Sequence, residues 1–364
     1  MIGKDDIILR KTILHVLDTT HGECILSNTL LDPGPDLYEF IRTHIFKIYT
    51  SDDTKKCTFN PETSPIYALL RDWKEEDEDS FIETSQQIAQ KLYYAMHEGM
   101  DIPPADLLYV TFQVERENYL ALLKMNYKES YTHQIAVYDA SDTYSPENEY
   151  PELEEGTPEE APASIIHANI VKSRALLPAA SSRIPEAILI NLQDLSIQLL
   201  EKSYEVSGEK TFYLSENFLV CHTSLPPKKK LNILTRVVNN ITNKYEDADM
   251  KAKMDIKSAL QKEYRENNHF DIEEIGQKLF GRSPERKAEF DEKMEAYDLQ
   301  YDTFSVTNES TLKKLEKQIM VTDSGIEISI PMETYNKVGC LEIKTDMSGK
   351  STIIIKDIDN LIVK

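Results

Sequence analysis

The sequence predicts an α+β protein with an N-terminal mixed antiparallel sheet and helices, then a helical block and a small C-terminal β-rich region. Three observations carry that prediction. Leu107–Val114 alternates apolar Leu108, Val110, Phe112 and Val114 with Tyr109, Thr111 and Gln113, the period of a half-buried antiparallel strand, and a second run, Tyr119–Met125, follows the turn Glu115-Arg116-Glu117-Asn118. Phe81–Met96 instead repeats apolar residues at helical spacing, so a helix should lie across that sheet. Beyond Pro226-Pro227 the pattern becomes helical to about residue 300, and residues 301–364 return to short alternating strands. The expected organisation is a domain at 1–226 and a second part at 227–364, the latter divided into 227–300 and 301–364.

Taken in order, Ile7–Leu17 and Cys24–Leu31 read as two strands of a hairpin around Thr20-His21-Gly22. Pro35 suits the first turn of a helix bearing Leu37, Phe40, Ile41, His44, Ile45 and Ile48 on one side. Ser64–Trp73 is a short helix ended by the acids Glu75–Asp79. These read as a solvated loop, because the glycine and spacing of a calcium-binding loop are missing. The helix of Phe81–Met96 ends at Gly99. Tyr119–Met125 is apolar on both faces and should be a central strand. Ser164–Leu177 and Ala187–Leu200 read as further strands of the same sheet, and Phe212–Phe218 as an aromatic strand. Between Met125 and Ser164, residues 139–160 hold nine acids and no base, with prolines interspersed. Such a segment buries too little surface to order itself and reads as an exposed linker, either solubilising or imitating a polyanion for a basic partner.

Leu231, Ile233, Leu234, Val237, Val238 and Ile241 form a broad apolar stripe on the helix after Pro227. Its start is unusual. Lys228, Lys229 and Lys230 face the positive end of the helix dipole, where cations cost a few tenths of a kcal/mol each. From 227 to 267 there are ten Lys or Arg against six Asp or Glu, a local excess of positive charge. On the next helix Lys251, Lys262 and Arg265 share an arc of about 60° opposite Ile256, Leu260 and Tyr264. These six cations are the candidate contacts for nucleic acid or a partner, although a charged outer face is also what any solvated helix presents. Asp271–Met294 has the outline of a helix-turn-helix, but Glu285, Glu289, Asp291 and Glu292 on its second helix would be repelled by a DNA groove, so helical packing is the expectation.

With 63 acidic and 41 basic residues the net charge is −22, so the molecule as a whole repels a phosphate backbone and any DNA contact must be local. The start of the chain lacks an apolar export segment and no run is long enough to cross a membrane, which leads us to expect a cytoplasmic protein. Cys24, Cys57, Cys221 and Cys340 are far apart and without a CxxC pair, so free thiols are expected rather than a metal or disulfide framework. His15, alone in an apolar strand, reads as a core histidine. There is no phosphate-binding glycine motif, HExxH or GxSxG, and we expect no catalysis, cofactor or metal.

Several landmarks together resemble the bacterial nucleoid-associated proteins of the NdpA/YejK type. They are Ile13-Leu14-His15-Val16-Leu17, Ser27–Pro33, Asn191–Leu195, Phe218-Leu219-Val220-Cys221 before the lysine cluster, and a closing hairpin with Asn360-Leu361. One position departs: the family pattern has glycine where Val220 stands, which puts the backbone turn there in question. The resemblance implies a non-enzymatic protein resident on the chromosome at the nucleoid, binding DNA weakly or contacting chromosome-handling machinery such as a type II topoisomerase. The alternative is an adaptor with no DNA contact of its own. Apolar stripes and basic excess in one segment also lead us to expect a homodimer formed through residues 227–364.

Overall fold

The computed structural model describes residues 2–74, 77–97, 101–135, 168–206, 208–245, 250–337, 339–345, 350–356, 358 and 360. The acidic stretch 139–160, Gly99 and the turn at 346–349 lie outside the described residues.

The first part of the chain runs β1 (Ile8–Asp18), β2 (Glu23–Leu26), α1 (Pro35–Tyr49), β3 (Lys55–Phe59), α2 (Pro65–Leu70), α3 (Glu78–His97), β4 (Ala105–Val114) and β5 (Glu117–Asn126). It continues with β6 (Lys128–Ile135), β7 (Ala168–Leu176), β8 (Glu186–Asn191), β9 (Ile197–Leu200), β10 (Tyr204–Val206), β11 (Glu209–Thr211) and β12 (Cys221–Thr223). Eight of these strands form one antiparallel sheet in the order β12-β3-β9-β8-β5-β4-β1-β2. Helices cover both of its faces. On one face Ile41, Ile45 and Ile48 of α1 pack on Leu108, Val110, Ala121 and Leu189. On the other, Phe81, Ile88, Leu92 and Met96 of α3 pack with α2 on Leu107, Tyr109, Leu120 and Ile188.

This double cover explains why β5 is apolar on both sides. It also corrects the reading of β4 as half-buried, since α3 buries Tyr109 and Thr111 as completely as α1 buries Val110. Inside this sheet Lys124 of β5 stands directly opposite Glu186 of β8, with its Nζ 2.8 Å from Glu186 Oε2 and both side chains buried. The Tyr204 hydroxyl donates to the same carboxylate oxygen at 3.1 Å, so the buried charge is compensated rather than isolated.

Two segments differ from expectation. β7 pairs with β6 in a separate two-stranded ribbon instead of joining the main sheet. Residues 212–218 are not a strand: Leu214–Phe218 is a π-helical turn. Its curl turns Tyr213, Leu214, Phe218 and Leu219 together into the α3 side of the core, which an extended strand would divide between two faces. Val220, next in the chain, has φ of +48°, a left-handed conformation unfavourable for a β-branched residue. The turn that glycine would make is therefore kept by valine. Neighbouring bonds hold it there: Ser64 Oγ donates to the Leu219 carbonyl at 2.6 Å and the Asn60 N–H to the Val220 carbonyl at 3.1 Å.

The chain then enters α4 (Pro227–Tyr245), α5 (Met250–Asn267), β13 (Phe270–Asp271), α6 (Ile272–Phe280), α7 (Pro284–Glu295), β14 (Thr303–Phe304) and α8 (Glu309–Glu316). It ends in β15 (Lys317–Val321), β16 (Glu327–Pro331), α9 (Met332–Asn336), β17 (Leu341–Thr345) and β18 (Ser351–Ile355). A second core forms here, where Leu234, Val238 and Ile241 of α4 meet Leu260, Phe270, Ile275, Phe290 and Val306. The two closing hairpins, β15–β16 and β17–β18, pack with Met254 of α5 around Met320, Ile330 and Met332. Asp52, buried between α1 and β3, joins the sheet to this helical body. Its Oδ1 accepts the Thr307 N–H at 2.8 Å, its Oδ2 accepts the Asn308 N–H at 3.0 Å, and its carbonyl accepts the Lys228 N–H at 3.1 Å.

His15 is fully buried in the sheet. The Ser27 N–H donates to its Nδ1 at 3.1 Å, so Nε2 carries the proton and donates to Ser85 Oγ at 3.0 Å. Burial lowers its pKa to about 4, and burial followed by the nearby Lys47 does the same for His44, also to about 4. An unfolded histidine takes up its proton near pH 6.5. Between about pH 6.5 and 4 the unfolded chain thus binds more protons, and stability falls as the pH is lowered. Each histidine should remove about 2 kcal/mol by pH 5. Urea titrations at pH 7 and pH 5 measure this, and His15→Gln should cut the pH-dependent loss by about half; equal stability of the natural chain at both pH values would contradict it.

Candidate nucleic-acid interface

Proline is suited to the first turn of a helix, where its missing N–H costs no bond, and α4 begins at Pro227 with the three lysines directly after it. Carboxylates offset their unfavourable position at the helix N-terminus. Lys228 Nζ lies 2.8 and 2.9 Å from the two oxygens of Asp53. Lys230, 9% exposed, reaches Asp302 Oδ2 at 2.7 Å and sits over the Phe304 ring. Lys229 is exposed and has no partner among the described residues. Two of the three lysines therefore hold α4 in place and one faces outward.

The α5 cations lie elsewhere. Arg265 Nη2 is 2.6 Å from Glu333 of α9, and Lys262 Nζ is 3.8 Å from Glu266 one turn on. Lys251 is exposed and also engaged. Of the six candidates, Lys228, Lys230, Lys262 and Arg265 meet carboxylates, Lys251 is otherwise engaged, and Lys229 faces outward. Exposed ion pairs like those of Lys262 and Arg265 are worth about 0–1 kcal/mol, which a phosphate can displace. The more enclosed Lys228 and Lys230 cannot be released without unfastening the helix.

The helix-turn-helix outline is real in shape, with α6 and α7 joined through Gly281-Arg282-Ser283. Its second helix is a packing element. Phe290 and Met294 are buried, and Gly276 lets Phe290 approach so closely that a Cβ there would lie 2.6 Å from the ring. Lys287 bonds Asp291 at 2.6 Å, and Arg286 lies over the Tyr245 ring at 5.1 Å.

A feature not singled out in the sequence lies on the outer side of α4. Asn232, Thr235, Arg236, Asn239, Asn240 and Asn243 form one wall of a groove of about 530 Å³, facing Lys253 and Lys257 of α5 and Gln318 of β15. Leu231, Ile256, Leu260 and Leu315 form its floor, and among the described residues no carboxylate lines it. Asparagine costs about half a kcal/mol relative to alanine in a helix. Four on one face of α4 thus weaken the helix without packing to show for it. Lys257 Nζ donates to the Lys317 carbonyl at 2.8 Å and to Gln318 Oε1 at 3.1 Å, and burial lowers its pKa. The signal in the sequence is the recurrence of asparagine at 232, 239, 240 and 243, opposite the apolar stripe.

Among the described residues no cluster of His, Cys, Asp or Glu could hold a metal ion, and no helix is long and apolar enough to cross a membrane. No curated protein matches the chain significantly. A family model described as nucleoid-associated protein YejK matches residues 13–362. That span runs from within β1 past the last hairpin and includes the landmarks of the hairpin, the Phe218–Cys221 segment and the lysine cluster. The chain belongs to the nucleoid-associated protein YejK family.

Proposed function

We propose that this chain is a non-enzymatic cytoplasmic protein of the nucleoid, built of two domains at 1–226 and 227–364. Its own contact with DNA is weak and salt-sensitive. A chromosome-handling protein, such as a type II topoisomerase, strengthens its hold there. Family membership supports the nucleoid role. The observation that carries the weakness of the DNA contact is the pairing of Lys228, Lys230, Lys262 and Arg265 with carboxylates, in a molecule of net charge −22. Of the six candidate cations, Lys229, Lys251, Lys262 and Arg265 are those that a phosphate backbone can reach, and no cofactor takes part.

We further propose a homodimer formed within residues 227–364. The apolar stripe of α4 does not provide its contact, because Leu234, Val238 and Ile241 are fully buried inside the chain. Exposed apolar side chains lie instead on the β15–β16 hairpin, at Ile319, Val321 and Ile326. Light scattering at tens of micromolar should give twice 41.8 kDa, and Val321→Lys should return a monomer. A monomer mass for the natural chain would contradict this.

The DNA contact is tested by titrating the full chain with duplex DNA at several salt concentrations. Each neutralised phosphate contributes a log–log slope of about −0.9, so the four reachable cations predict a total of roughly −3.6. Lys229→Ala should flatten the slope by about one such step, whereas Lys228→Ala and Lys230→Ala should lower stability instead. Unchanged binding by the Lys229 variant would remove it from the contact, and no binding even at low salt would leave the adaptor reading.

A further inference from the structure

The outward face of α4 carries carboxamides that the rest of the described fold does not use, beside Arg236, whose Nη2 donates to the Tyr297 hydroxyl at 2.8 Å. Asn232, Arg236, Asn239, Asn240 and Asn243 fall within an arc of about 100°, and Lys229 continues the row towards the helix start. None of the four carboxamides has a hydrogen-bond partner among the described residues. Across the groove Lys253 is exposed and likewise unpartnered among the described residues. A protein of net charge −22 has here a groove edged by cations, with no carboxylate lining it among the described residues.

The chemistry of the wall distinguishes between ligands. A carboxamide donates and accepts at once, as a peptide backbone requires. A phosphodiester only accepts, and unpaired bases bind on aromatic side chains, of which this groove has none. The spacing agrees. Four residues of helix advance about 6 Å, close to the roughly 6.6 Å of two residues in an extended chain. Asn232, Arg236 and Asn240 thus form rungs that match every second residue of a strand-like segment. The floor of Leu231, Leu260 and Leu315 suits an apolar side chain between acidic ones.

We propose that the groove between α4 and α5 binds an extended acidic segment of a partner protein. The carboxamides pair with its backbone, and Lys229, Arg236 and Lys253 take its carboxylates. This deepens the partner-borne part of the function proposed above and rests on it.

The probe is a fluorescein-labelled twelve-residue peptide repeating Glu-Leu-Asp, added to the full chain and followed by anisotropy at 150 mM salt. It should bind saturably, and the same peptide with lysine for its acids should not. The triple variant Asn239→Ala, Asn240→Ala, Asn243→Ala should bind at least about tenfold more weakly while melting no lower than the natural chain. Arg236→Ala with Lys253→Ala should weaken binding and reduce its salt dependence. No binding by the natural chain, or equal binding by the triple carboxamide variant, overturns the inference. So does displacement of the peptide by a twelve-nucleotide single strand at equal concentration, which would reassign the groove to nucleic acid. Absent peptide binding with the DNA salt slope retained overturns this inference alone. Peptide binding without any DNA binding overturns the DNA contact and leaves the groove standing.

Discussion

The carboxylate of Asp52 cannot be satisfied by its own neighbourhood. It is 3% exposed at the junction of α1 and β3, and among the described residues the donors to its oxygens come from Thr307 and Asn308, some 255 residues later. A buried charge that loses its partner costs about 3–5 kcal/mol. The sheet therefore completes itself only when the helical body docks, and the helical body docks only where that carboxylate waits. Lys228 joins the same junction twice, through its N–H to the Asp52 carbonyl and through its ammonium to Asp53.

This junction fixes what α4 can show to a partner. The apolar stripe is turned into the helical core, Lys228 and Lys230 are turned towards Asp53 and Asp302, and the remaining arc carries Lys229, Arg236 and the asparagines. The placement of lysines at a helix N-terminus, costly for the helix itself, is thus explained by attachment more than by phosphate binding. It also leaves Lys229 as the one lysine of the triplet that faces outward, in a chain of net charge −22 that belongs to a nucleoid-associated family.

Period-two alternation was enough to place β4, β5, β8 and β9 in one sheet, and helical periodicity enough to place α1, α3 and α4, because in each the buried face is a local property of consecutive residues. Tyr109 and Thr111 were misread as half-exposed, since β-propensity is the same whether a second helix covers the strand or not. Phe212–Phe218 misled for the same reason: aromatic residues favour strands, yet Tyr213, Leu214 and Phe218 share a side only when the chain curls. The candidate cations were legible as charges and illegible as a surface. Lys228 meets an acid 175 residues away, and no pattern within α4 announces it. The carboxamide wall was written in the sequence as polar residues opposite the stripe, but only the fold shows that no described residue answers them.

Native-state hydrogen exchange on the full chain measures the Asp52 junction directly. If the buried carboxylate fastens the two bodies, the amides of Thr307, Asn308 and Lys228 open with free energies within about 1 kcal/mol of those in β5, because they are released only when the whole structure unfolds. Exchange of these three amides through openings several kcal/mol cheaper than those of β5, with the sheet still protected, would show that the bodies separate freely and would contradict the account.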